Sequence, residues 1–121
     1  MQLSDITEER IERWIRLGIR QIPYKDLEHA IKNKIYADDI LFNHFSYFTL
    51  RNRITKSMFK TALRLYWHVV ERYLCNLDNL YRTLTENRPE FKRLLDSREA
   101  RHWLYQCARR AYDKLYRIAW C

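Results

Sequence analysis

Histidines and arginines are the side chains in this 121-residue chain with which acid–base or phosphate chemistry would begin. An RNA-cleaving site needs a histidine to exchange a proton and an arginine to stabilise phosphate charge. Two pairs offer that combination one helical turn apart, Arg64 with His68 and Arg98 with His102. Such pairs arise readily by chance in a basic protein, so RNA cleavage is a secondary reading and no residue is assigned a catalytic role. His29, His44, His68 and His102 make no two-histidine helical pair at i, i+3 or i, i+4. None of them stands at a zinc-ligand spacing from Cys75, Cys107 or Cys121, so no metal or other cofactor is expected. The single glycine, Gly18, excludes the glycine-rich loops that cradle nucleotide phosphates. Three cysteines at long spacings fit neither a closed disulfide framework nor a CxxC motif, which leaves at most one bridge.

Binding chemistry is more legible than catalysis. The formal charge of +8 and a pI near 9.6 point to an anionic partner. No acid occurs between Asp39 and Glu71, whereas Arg51, Arg53, Lys56, Lys60 and Arg64 place five cations there. Lys56, Lys60, Arg64, His68 and Arg72 recur every four residues, so on a helix they form one slowly drifting ridge. Cations that merely keep a helix soluble are usually mixed with acids. This edge is therefore read as phosphate-binding. A second basic region, residues 89–121, carries Arg98, Arg101, His102, Tyr105, Arg109, Tyr112 and Tyr116, where cations would meet phosphates while rings stack on bases or pack on sugars. The same tyrosines equally suit a subunit interface. Aromatic content of 15%, with Trp14, Trp67, Trp103 and Trp120, also suggests that some rings meet a partner.

These residues need elements to position them, and the chain's punctuation favours helices. One glycine and two prolines are too few for a set of strands and hairpins. A first helix is expected from near Asp5, with Glu8 completing a capping box and Ile11, Trp14, Ile15, Gly18 and Ile22 on one face. Glu9 with Arg13 and Glu12 with Arg16 are favourable i, i+4 pairs on its solvated side. Pro23 opens a second helix carrying Tyr24, Leu27, Ile31 and Ile35 inward. Asp38 and Asp39 offer a cap for a short helix over residues 40–50, followed by a loop at 51–55. Over residues 56–86, Phe59, Leu63, Tyr66, Val70, Tyr73, Leu77, Leu80 and Leu84 alternate spacings of four and three. That heptad seam predicts one helix about 45 Å long at 1.5 Å per residue. Leu65, Val69, Leu74 and Tyr81 widen the stripe towards a bundle. Pro89 starts a last helical stretch, interrupted near Asp96 and Ser97, with Leu94, Leu104, Ala108, Ala111, Leu115 and Ile118 facing inward.

The expected fold is all-α: a single compact helical bundle, residues 1–121, of about four to six helices, with a long central helix packed against a long C-terminal one. The expected function is non-enzymatic nucleic-acid binding, architectural, packaging or nucleocapsid-like, through the phosphate backbone and without strong sequence specificity. The alternative is a helical interaction module or oligomeric adaptor using a Tyr/Trp-rich surface. Possible partners are nucleic acid of either type and further copies in a homo-oligomer or larger nucleoprotein assembly. Charges interrupt every apolar run, so no membrane span is expected. The opening residues lack a secretory pattern, giving an intracellular, cytoplasmic or virion-associated location.

Overall fold

A computed structural model of the chain describes residues 3–34 and 55–121. The expectations made for Ile35, for the cap at Asp38 and Asp39, for a helix over 40–50 and for Arg51 and Arg53 lie outside the described residues. Within them the structure is all-helical: α1 (Glu8–Arg20), α2 (Tyr24–Lys32), α3 (Lys56–Leu65), α4 (Trp67–Leu74), α5 (Leu77–Thr85), α6 (Pro89–Leu94) and α7 (Arg98–Trp120), preceded by a 3-10 turn at Leu3–Asp5.

The first helix begins later than the capping-box reading places it. Thr7 is the N-cap, its Oγ1 accepting from the Arg10 amide at 3.2 Å, while Asp5 closes the 3-10 turn. The reason is apolar. With Thr7 as cap, Ile6 precedes the helix and Ile11 occupies its fourth position, the arrangement of a hydrophobic staple, and both are buried in the core. A cap at Asp5 would put Ser4 and Glu9 in those places. Ile11, Trp14, Ile15, Gly18 and Ile22 are buried as the periodicity requires. Pro23 is the residue just ahead of α2, extended at φ −67° and ψ 137°, and Leu27 is the buried anchor of that helix.

The single long central helix is replaced by three short ones, which takes the helix count among the described residues above the expected range. The first break is Tyr66, at φ −117° and ψ 31°. Its hydroxyl donates to the Ile6 carbonyl at 3.2 Å, and the next side chain, Trp67, packs instead on α7. Two large rings in succession are thus anchored on different neighbours. The second break is at Cys75 and Asn76. Asn76 Oδ1 accepts from the Asn79 amide at 3.0 Å, and Asn79 Nδ2 donates back to the Arg72 carbonyl at 3.1 Å. Local side-chain bonds of this kind compete with helix continuation. A seven-residue repeat drifts by about 20° per heptad on a straight helix, which coiled coils absorb by supercoiling. Here the chain breaks and re-aims, so Phe59, Leu63, Val70, Tyr73, Leu80 and Leu84 are all buried although they lie on three helices. Leu65, read as part of the widened stripe, is 60% exposed.

α4 sits at the centre, touching α1, α3, α5 and α7, while α7 also lies along α3, and α6 joins α5 to α2. Five of its eight residues are buried. α7 starts after Ser97, whose Oγ accepts from the Ala100 amide at 3.0 Å, confirming the interruption read at Asp96 and Ser97. Its buried face includes Ala100, Ala108, Ala111 and Ala119, small residues that let α3 and α4 approach closely. Among the described residues no disulfide joins the cysteines, with Cys107 buried and Cys75 and Cys121 exposed.

Leu104 is fully buried at the centre of this packing, so Leu104→Ala should cost about 2–5 kcal/mol in urea unfolding through lost transfer energy and a residual cavity. Leu65→Ala should stay within about 0.5 kcal/mol. Asn76→Ala should cost about 1 kcal/mol through the lost cap. Equal losses at Leu104 and Leu65 would contradict the three-helix arrangement.

Candidate nucleic-acid interface

The basic ridge read from the sequence is distributed over two neighbours. Lys56 stands exposed in the first turn of α3. Lys60 Nζ donates to the Cys121 carbonyl at 3.3 Å, and Arg64 Nε donates to the Ala119 carbonyl. Both therefore satisfy carbonyls at the end of α7, where the helix dipole also favours positive charge. Beyond the Tyr66 break the ridge turns to α1. His68 Nε2 lies 3.2 Å from Glu8 Oε1, and Arg72 lies 3.6 Å from Glu8 and 3.6 Å from Glu12. Arg64 and His68, candidates for one catalytic pair, are thus turned towards different helices.

The second region is brought onto one element. On α7, Arg98, Arg101, His102, Tyr105, Arg109 and Tyr116 are exposed, and Tyr112 is half-buried. Residues 98 to 116 span about 27 Å of helix at 1.5 Å per residue. Arg101 is partly engaged, its Nε donating to the Leu95 carbonyl at 3.2 Å and its guanidinium 5.4 Å from the Tyr81 ring centre. At Cys75, at the end of α4, partial desolvation and the charges of Glu71 and Asp113 raise the thiol's pKa, opposed by Arg109.

Tyr112 and Tyr116 belong to a larger aromatic group that the sequence reading did not assemble. Tyr112, Tyr116 and Trp120 follow one another at four-residue intervals. Their rings are nearly parallel, at 25° and 27°, with centres 6.4 and 5.0 Å apart. Trp67 stands against all three, at 5.1 Å from Tyr112, 5.9 Å from Tyr116 and 4.9 Å from Trp120. Tyr116 and Trp120 remain 47% and 45% exposed, whereas Trp67 is 9% exposed. Trp120 was findable, since it continues the i, i+4 stripe of Tyr112 and Tyr116. Trp67 was not, because its contact depends on the break at Tyr66. Arg64 reaches the carbonyl next to Trp120, so the α3 cations and the α7 rings, far apart in sequence, meet at one end of α7.

Elsewhere a cleft of about 530 Å³ gathers Arg16, Arg72, Arg82 and Lys92 with Glu12 and Glu86. Its charges are matched in part: Glu12 pairs with Arg72, and Glu86 with Arg16 at 3.8 Å and with Arg20 beside the cleft, so cations remain in excess of acids in its lining. Among the described residues no three His, Cys, Asp or Glu side chains converge as a metal ion would need. No described helix is long and apolar enough to cross a membrane. No protein-family model, curated protein or solved structure matches the chain.

Two outcomes follow from these pairings. Arg64→Gln should lower stability by about 1 kcal/mol, because it removes a charge-assisted bond to a helix-terminal carbonyl, and Lys56→Gln should change it little. Chemical denaturation of the two variants checks this, and equal effects would contradict the capping role. The Arg20 guanidinium, by hydrogen bonding and by its charge, holds the Glu86 carboxyl below its ordinary value of 4.5. A depressed carboxyl stabilises the fold above its unfolded pKa and loses that contribution as pH falls through the lowered folded value. Glu86→Gln should therefore flatten the stability profile below about pH 4.5 and leave its shape near neutrality unchanged.

Proposed function

We propose that this protein binds nucleic acid without catalysing a reaction on it, holding the phosphate backbone along the outward side of α7. The observation that carries this reading is the exposure of Arg98, Arg109 and Arg117 along that one helix, on a chain of net charge +8. α7 carries four more cations than acids, Glu99 and Asp113 being its acids. Glu99 is itself paired with Lys34 at 3.7 Å. A continuous basic helix face tracks a regular array of phosphates and gives affinity with little base discrimination. The arrangement suits an architectural, packaging or nucleocapsid-like role, with further copies lying side by side on the same strand.

The α3 edge contributes differently from the sequence reading. Lys60 and Arg64 stand beside the end of α7 with one donor each committed to a carbonyl, so phosphate contact there rests first on Lys56. A second reading, a protein-interaction module, draws on Tyr105, Tyr116 and Trp120, each more than 40% exposed.

The test is a titration with duplex and single-stranded oligonucleotides at several salt concentrations. Replacing Arg98, Arg109 and Arg117 together by Gln should weaken binding to unrelated sequences alike. At about 0.7–0.9 per phosphate contact, it should also flatten the slope of log affinity against log salt by about 2–2.7. Circular dichroism should be unchanged, since all three residues are exposed. Absence of binding at low salt would overturn the reading. A light-scattering mass that falls on Tyr116→Ala would then favour the interaction module.

A further inference from the structure

We propose that the edge of α7 formed by Tyr112, Tyr116 and Trp120 is a stacking platform for unpaired bases, so that the preferred ligand is single-stranded nucleic acid. The proposal rests on the nucleic-acid reading and specifies its substrate class.

Three observations carry it. First, the rings are ordered relative to one another. Near-parallel rings 5.0 and 6.4 Å apart along a helix form one short stack with Tyr116 between Tyr112 and Trp120, so a planar ligand meets the ring surface that this overlap leaves exposed, and Trp67 packs against the group at 87° to Trp120 and 69° to Tyr116. An aromatic side chain held this way has already lost its rotamer freedom, so a planar ligand meets it at a smaller entropic cost than on a free side chain. Second, the platform is exposed at Tyr116 and Trp120, whereas the ring that orders it is buried, which divides the group into a support and a contact surface. Third, its surroundings are cationic. Arg109 precedes Tyr112 by one turn, Arg117 follows Tyr116, and Lys60 and Arg64 bind carbonyls on either side of Trp120. A polyanion with flat aromatic groups complements that combination.

Duplex nucleic acid does not satisfy it equally. Paired bases already use their faces in the stack, and a duplex offers this surface only phosphates and base edges. The cations would serve either form, but the rings gain contact only with bases that are free. A neutral or basic protein surface would have to approach four cations with Asp113 as the one acid on the intervening stretch of α7, which is unfavourable without acidic counterparts. Tyr105, 43% exposed and two turns before Tyr112, extends the same edge and gives a strand a continuous track.

The experiment uses the full chain with a fluorescein-labelled oligothymidylate and with the duplex that it forms with oligoadenylate, followed by anisotropy and by tryptophan emission. The wild type should bind the single strand more tightly, with quenching of tryptophan emission. Tyr116→Ala and Trp120→Ala should each weaken single-strand binding by about 5- to 150-fold, the range expected for one stacked base, and change duplex binding by less than about twofold. Tyr116→Phe should restore single-strand affinity, because stacking uses the ring and not the hydroxyl. Circular dichroism and a light-scattering mass accompany each variant, and if Trp120→Ala disturbs the fold, the Tyr116 pair decides alone. Equal weakening of single strand and duplex, or no weakening of either by Tyr116→Ala in a folded protein, overturns the proposal while leaving the nucleic-acid reading in place. Failure of the wild type to bind either oligonucleotide at low salt removes both. A fall in oligomer mass on Tyr116→Ala, with single-strand affinity intact, assigns the rings to a subunit interface and also overturns it.

Discussion

The last carbonyls of every helix must find donors, and in a chain with one glycine the commonest solution is closed. A left-handed glycine after the helix would normally let the backbone fold back onto those carbonyls. Here side chains do much of that work. Arg88 Nη1 donates to the Arg20 carbonyl at 2.6 Å and Nη2 to the Ile22 carbonyl, closing the end of α1, while its guanidinium lies 3.7 Å over the Phe91 ring. Asn33 Nδ2 reaches the His29 carbonyl at 2.8 Å at the end of α2, and Asn79 does the same for α4. Arg101 serves Leu95 after α6, and Lys60 and Arg64 serve the end of α7. After α5, Asn87 takes the left-handed conformation at φ 58°, which asparagine tolerates better than most residues. Several of these donors come from distant elements, so termination of one helix and docking of another are the same contact.

This constraint explains why some of the fold was legible in the sequence and some was not. The faces were legible because burial obeys helical periodicity locally: the inward positions of α1 and the alanine-rich face of α7 follow from spacing alone. The boundary at Ser97 was legible because a short polar side chain announces a cap. Asn76 carries the same signal but sits inside an uninterrupted heptad pattern, and the pattern hides it, since three re-aimed helices bury the same seam as one straight helix would. Tyr66 carries no local signal at all. Its break depends on the Ile6 carbonyl, sixty residues away in sequence, and on the rings of α7.

The candidate interface divides along the same line. The basic and aromatic character of α7 can be read from composition on a helical stripe, and the structure keeps Arg98, Tyr105, Arg109 and Tyr116 on the outside. The α3 ridge was read from charge spacing, and spacing carries no information about what a cation faces. Lys60 and Arg64 meet carbonyls, while His68 and Arg72 meet Glu8 and Glu12, acids more than fifty residues earlier. A run of cations without local acids is therefore consistent with internal neutralisation by acids brought in from another helix. The contact of Trp67 with the α7 rings is illegible for the matching reason: on a straight helix it lies off the seam, and the break at Tyr66 is what turns it to α7.

Part of the arginine and lysine complement thus holds helix ends together, which occupies donors that a ligand would otherwise meet. The two uses are linked rather than merely competing. Lys60 and Arg64 bind carbonyls in the last turn of α7, the turn that carries Trp120, and Trp67, one turn beyond Arg64, sets the angle of the ring group. Fixing that turn fixes the faces that Tyr116 and Trp120 present. A cation bonded to a backbone carbonyl, as Arg64 is to that of Ala119, also keeps its charge, since a neutral acceptor does not neutralise it, and so still contributes to the field around the rings. Where a cation instead meets a carboxylate, as Arg72 meets Glu12, the field is cancelled locally and only the structural role remains. The end of α7 combines uncancelled charge with ordered rings, whereas the α1–α4 side has charge of both signs.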